Sequence, residues 1–249
     1  MKIIEYGKEN PEVIVLLHGG GLSWWNYRDE AERLKGRYRV VLPVLDGHAD
    51  SGAPFTTIED NAAELIGYID ENFNGSVRTI GGLSLGGQIL AEMLSQRGDI
   101  CGRALIESAL VIPMELTAAW VGPIFGASYG LIQKEWFSQM QFKSLRIRPE
   151  LFEDYYRDSC KIKKEDMIRF LQANSSYTAK PGLAGVKAVT TIVVGGREQK
   201  IMRRSAEILH ETIPGSRLLT LDGYYHGELS LNHPAEYADL LTSPAPNTP

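Results

Sequence analysis

The chain has 249 residues, 43% of them hydrophobic and 23% charged, with a formal net charge of −5. That is the balance of a globular protein long enough for a sizeable core, and it leaves no basic face for nucleic acid. The two cysteines, Cys101 and Cys160, stand far apart and outside any CxxC pattern, which speaks against a disulfide framework and a cysteine zinc site.

From the N-terminus, KIIEY (2–6) is compatible with an extra edge strand. EVIVLLH (12–18) is an apolar run of the kind found in strands buried on both faces. Its stretch 13–17 is too short for a signal sequence or a membrane span, and a cytoplasmic protein is expected. LLHGGGLSWW (16–25) leads into a helical pattern over 24–36, and YRVVLPVL (38–45) reads as the next strand. The clearest helix is 57–73. Thr57 can cap it, Asp60 stands in its first turn, and Ile58, Ala62, Leu65, Ile66 and Ile69 share one face. Strand VRTIGGL (77–83), helix 85–98 and strand RALIESAL (103–110) follow. After an interruption come strand AVTTIVVGG (188–196), helix 200–213, strand RLLTLDG (217–223) and helix 233–241. Alternation of this kind predicts an α/β protein, with a mostly parallel sheet covered by helices on both faces.

The interruption, 111–185, has no convincing strand and many aromatics, among them Trp120, Phe125, Trp136, Phe142, Phe170 and Tyr177. It reads as a helical insertion on the C-terminal edge of the sheet, with most of these rings forming its own core. The expected plan is a core of 1–110 and 186–242, the insertion 111–185, and a flexible, proline-rich tail at 243–249.

Gly82-Leu83-Ser84-Leu85-Gly86 is a G-x-S-x-G pattern between a strand and a helix. In that setting the turn holds the serine hydroxyl out at the strand's end. Side chains two residues before and after would meet neighbouring backbone, hence the glycines. No G-x-G-x-x-G or GK[ST] occurs there, which removes the nucleotide-binding readings. A nucleophilic serine needs N–H donors for the oxyanion it creates. One is Leu85, directly after it; the other comes from the loop after an early strand, where Gly20 is the candidate and Gly19 and Gly21 leave some ambiguity. His18 precedes the serine and reads as a brace for that loop. There is no HExxH, and no histidines cluster with carboxylates at ligand spacing, so no metal is expected.

HGGG after one strand and G-x-S-x-G after a later one resemble the α/β-hydrolase superfamily, and LPVLDGHADSG (42–52) resembles its D-x-x-G-H-x-x-S loop. The likeness covers nearly the whole chain. It implies the α/β-hydrolase fold, with 111–185 in the place of the helical cap that follows the family's sixth strand. It also implies a catalytic triad in the order serine, acid, histidine. The histidine implied after the last strand is His226; His48, His210 and His233 lie elsewhere. The acid implied after TTIVVGG is Glu198, where the family usually has aspartate. Glu107, ending the preceding strand, is its rival, and Asp222 and Glu228 share the histidine's own loop. Arg197 and Lys200 read as surface charges. Trp24 and Trp25 either wall a substrate pocket or pack in the core. The implied activity is that of a serine hydrolase without a cofactor. An esterase acting on a small or medium carboxylic ester through an acyl-enzyme fits best, with a small-molecule ester or acyl substrate as partner and the oligomeric state open. The same machinery serves thioesterases, amidases, peptidases, lactonases, carbon–carbon bond hydrolases and acyltransferases, and the fold also serves slow-turnover ligand receptors.

Overall fold

Seven runs of β-branched and aliphatic residues become strands: β1 (Lys2–Tyr6), β2 (Val13–Leu17), β3 (Arg39–Val44), β4 (Val77–Leu83), β5 (Cys101–Glu107), β6 (Val189–Gly195) and β7 (Arg217–Leu221). The computed structural model describes residues 1–243, the side chains of 125–128 excepted. Phe125 and, from residue 244, the tail thus lie outside the described residues. The strands form one sheet in the order β1-β3-β2-β4-β5-β6-β7. β1 is antiparallel to β3, with Ile4 opposite Leu42, and every other neighbouring pair is parallel. All five residues of β2 are buried. Val13, Val15 and Leu17 enter one core, Ile14 and Leu16 the other. The two-residue pleat of a strand covered on both faces produces this split.

Ten α-helices accompany the sheet among the described residues: α1 (Arg28–Leu34), α2 (Ile58–Phe73), α3 (Leu85–Gln96), α4 (Glu115–Ile132), α5 (Glu135–Ser144), α6 (Phe152–Ser159), α7 (Lys164–Ser176), α8 (Lys200–Thr212), α9 (Glu228–Asn232) and α10 (Pro234–Thr242). Leu65 and Ile69 of α2, Ile89 and Leu94 of α3 and Leu209 of α8 fill the first core. Ala31 and Leu34 of α1 and Tyr237 and Leu241 of α10 fill the second. The Thr57 hydroxyl caps α2 by accepting the Asp60 N–H at 2.9 Å. None of the helices described is long and apolar enough to cross a membrane.

Three elements differ from their sequence patterns. The run 24–36 is a 3₁₀ turn, Trp24–Tyr27, followed by the short α1. The strand expected over 103–110 starts at Cys101 and stops at Glu107, because Ser108 turns to φ 52° and donates its N–H to the Val193 carbonyl at 2.9 Å. A short extra helix, α9, precedes α10, with His233 at the junction and Pro234 opening the second.

Between β5 and β6, the fifth and sixth strands in this chain's own count, lie α4 to α7. Their aromatics divide. Phe142 packs against Phe152 and Tyr155, each with centroids 5.3 Å away, and this group joins the second core. Phe170 instead stacks on His48 at 4.5 Å, and the Tyr177 hydroxyl donates to Glu92 at 3.1 Å, both tying the segment to the sheet's own layers. Trp120 and Trp136 are 60% and 62% exposed.

Candidate active site

Ser84 leaves β4 at φ 53° and ψ −112°, a region costly for a residue with a Cβ. Two hydrogen bonds fix it there. Its N–H donates to the Glu107 carbonyl at 2.9 Å, and its carbonyl accepts the Gln88 N–H at 2.9 Å, closing the first turn of α3. A Cβ on Gly82 would lie 2.4 Å from the Gly86 carbonyl oxygen, and one on Gly86 only 2.1 Å from that of Leu17. The turn therefore admits no side chain at either position. Ser84 is half-buried, and among the described residues its hydroxyl makes no hydrogen bond.

The loop after β2 lies beside this turn. A Cβ on Gly20 would sit 3.6 Å from Leu85 Cδ2, an ordinary contact, so Gly20 neighbours Leu85 without being forced to be glycine by crowding. Neither the Gly20 nor the Leu85 N–H donates to another described group. His18 braces the loop: its ring accepts the Leu45 N–H at Nε2 (3.0 Å) and donates from Nδ1 to the Gly19 carbonyl (2.9 Å). Burial, reinforced by the adjacent His48, pushes its pKa down to about 3, so the ring is neutral.

Glu198 follows β6 and His226 follows β7. Glu198 Oε2 lies 2.8 Å from His226 Nδ1, while Oε1 accepts the Gly195 N–H at 2.8 Å and the Ser108 hydroxyl at 2.7 Å. Burial pushes this carboxyl upward, but the bond and charge of His226, the Gly195 amide and the Ser108 hydroxyl outweigh it and hold the group below its ordinary value. Glu198 is thus ionised, and its contact requires a proton on Nδ1. The His226 side chain is 45% exposed, and Ser84, Glu198 and His226 line one cavity of about 380 Å³.

Glu107 is fully buried and makes no bond to His226. Its Oε1 accepts the Ser230 N–H at 3.3 Å, and burial drives its pKa up to about 7 against the pull of Ser230 and the charge of His226. Glu228 accepts the Tyr225 N–H at 2.7 Å, and Asp222 is exposed. His48 is buried, His210 of α8 pairs with Ser216 beyond the helix, and His233 stacks on Tyr224.

The two tryptophans do not line the cavity. Trp25 is 1% exposed, packs in the second core and donates to Asp158 at 3.1 Å; Trp24 is half-buried beneath the Arg28 guanidinium. The 3₁₀ turn that replaces the start of the expected helix directs them into packing. Leu110, Met114, Leu145, Ile201 and Met202 supply the apolar wall instead. Arg197, read from the sequence as a surface charge, is exposed yet also lines the cavity; Lys200 is exposed at the start of α8. Ser108 escaped the sequence reading. Its only signal is a polar residue at a strand's C-terminal end, and its value depends on β6 lying alongside. Among the described residues no group of three or more His, Cys, Asp or Glu is placed to hold a metal ion.

The model of the alpha/beta hydrolase family matches residues 14–240. An AB hydrolase superfamily protein from Gibberella zeae is 31% identical over 149 residues, 56% of this chain, and the match spans only 50% of that relative's length. Among solved structures, an esterase from Exiguobacterium antarcticum superposes with a TM-score of 0.80 at 21% identity, covering 97% of this chain and 93% of the esterase. An enol-lactonase from Burkholderia xenovorans gives 0.75 at 18% identity, covering 96% and 92%. Likeness at such identities is one of fold. It is the α/β-hydrolase fold, and with the match along nearly all of its length the chain belongs to the alpha/beta hydrolase family.

Proposed function

We propose that this chain is a serine hydrolase that cleaves a small or medium carboxylic ester through Ser84, His226 and Glu198. His226 Nε2 takes the hydroxyl proton as Ser84 Oγ attacks the carbonyl carbon. Glu198 keeps Nδ1 protonated, which leaves Nε2 as the base, and it stabilises the imidazolium. The oxyanion lies against the N–H groups of Gly20 and Leu85, each worth ~2.7–4 kcal/mol in the transition state. His226 then protonates the departing alkoxide. Water, deprotonated by the same imidazole, cleaves the acyl-enzyme and restores Ser84. No step needs a cofactor. Residues 111–185 act as a cap on a core of 1–110 and 186–242, a reading supported by Met114, Leu145 and Asn174, which reach the cavity from that segment.

The observation that carries this reading is the 2.8 Å contact between Glu198 and His226 on the cavity that Ser84 also lines. A fluorophosphonate probe followed by peptide mass spectrometry tests it. The expected result is a single adduct on Ser84, absent from Ser84→Ala, with hydrolysis of p-nitrophenyl butanoate lost in the same variant. An adduct elsewhere, or undiminished turnover by Ser84→Ala, refutes the assignment.

A further inference from the structure

Two guanidinium groups stand on the cavity lined by Ser84 and His226. Arg146 comes from the turn after α5, and Arg197 from the loop between β6 and α8. Both reach one ring. Arg146 Cζ lies 3.8 Å from the centroid of Tyr225 and Arg197 Cζ 5.4 Å, and Arg197 Nη1 donates to the Tyr225 hydroxyl at 2.9 Å. Stacking on an aromatic face fixes the plane of a guanidinium and leaves the edge carrying its N–H donors for other partners.

Neither arginine forms an ion pair with a carboxylate among the described residues, whereas Arg148, two positions from Arg146, pairs with Asp29 at 2.7 Å. The sole carboxylate lining the cavity is Glu198, and its oxygens are occupied by Gly195, Ser108 and His226. Two cations gathered on one ring repel each other, and an anion between them removes that cost. The backbone that presents Arg146 is held in an unusual conformation. Arg146 sits at φ 56°, a conformation a long side chain rarely adopts. Asn232 holds it there, donating to the Arg146 carbonyl at 2.8 Å and accepting the Arg148 N–H at 3.1 Å. The remaining wall, with Leu110, Met114, Leu145, Ile201 and Met202, suits a hydrocarbon chain.

We infer that Arg146 and Arg197 form an anion subsite selecting esters whose acyl chain carries a carboxylate, the half-ester of a dicarboxylic acid being the simplest; this rests on the serine-hydrolase reading of the same cavity. The planar fork of each guanidinium matches a carboxylate edge, and the apolar wall takes the methylenes between that carboxylate and the scissile carbonyl. Tyr225 acts as a positioning residue, holding the two forks together beside His226.

The p-nitrophenyl half-ester of adipic acid and p-nitrophenyl hexanoate share acyl length and leaving group and differ in the terminal carboxylate. The wild-type protein is expected to favour the half-ester in kcat/KM by about tenfold or more, since charge-assisted hydrogen bonds are worth that much. The preference falls by about tenfold in Arg146→Gln or Arg197→Gln, further in the double variant, and with rising salt. A wild-type preference at or below unity, or one unmoved in the double variant, overturns the subsite. If neither ester is turned over and Ser84 takes no probe, the hydrolase reading fails, and calorimetry with adipate decides the subsite alone. Binding weakened by about tenfold in the double variant supports it; equal affinity, or no binding to the wild-type protein, overturns it.

Discussion

At the scale of single residues, two buried carboxylates near His226 have opposite environments. Glu198 accepts three hydrogen bonds, from Ser108, Gly195 and His226, and stays charged; Glu107 accepts one long bond from Ser230, and its second oxygen has no partner. An uncompensated buried carboxylate takes up a proton, and a proton-bearing acid is a poor stabiliser of an imidazolium. Glu198→Gln is therefore expected to lower kcat on a p-nitrophenyl ester by about 10²–10⁴-fold, because the amide favours the wrong imidazole tautomer. Glu107→Gln should cost less than about tenfold, since it acts only through the packing beneath α9. Steady-state kinetics on the two purified variants compare them directly; the reverse ranking would move the acid to β5.

At the scale of elements, the site is assembled where β4, β5, β6 and β7 end. β5 ends beside both β4 and β6, so one short segment serves two loops: the Glu107 carbonyl anchors Ser84, and the Ser108 hydroxyl anchors Glu198 and accepts the Gly227 N–H at 3.4 Å. Helix α2 packs on α3 but lends no residue to this cavity, and its N-terminus is stabilised by local chemistry. Its Thr57 cap satisfies an N–H that the helix cannot. Thr57→Ala is expected to cost ~1 kcal/mol, lowering Tm by about 2–4 °C, with kcat retained. Thermal unfolding followed by circular dichroism measures the first and an ester assay the second; a loss of kcat would show that α2 is coupled to the site.

At the scale of the whole molecule, burying Glu107 links folding to pH. Its folded pKa, raised to about 7 chiefly by burial, lies above the ordinary value of 4.5. The folded state keeps a proton that the unfolded chain releases, so this group's cost to stability is absent below the unfolded value. It grows as pH rises to about 7 and levels off above that, reaching on the order of 3 kcal/mol. Glu198, held low, works the other way: its contribution is present above the ordinary carboxylate value and is lost as pH falls through its folded one. Glu107→Gln should consequently gain stability relative to the wild-type protein as the medium becomes alkaline. Denaturation midpoints at about pH 5 and about pH 8.5 give the comparison; a difference between the two proteins that stays constant with pH excludes the linkage.

The sequence by itself determined the sheet with its flanking helices, the cap of α2 and the turn at Ser84, because each depends on residues close by in the chain. Gly82 avoids a collision with Gly86, four residues on, and the apolar run of β2 encodes burial on both faces; the collision that Gly86 avoids, with the distant Leu17 carbonyl, belongs to the tertiary structure. It also left Glu198 and His226 as the pair to test, on the strength of resemblance. Tertiary structure alone decided that Glu198 rather than Glu107 bonds His226, that Trp25 packs in the core, that Ser108 joins two loops, and that Arg146 meets Arg197 over Tyr225. Periodicity fixes which face a side chain occupies, but not which distant segment lies opposite it. These contacts join residues dozens of positions apart, brought together by the order of the strands.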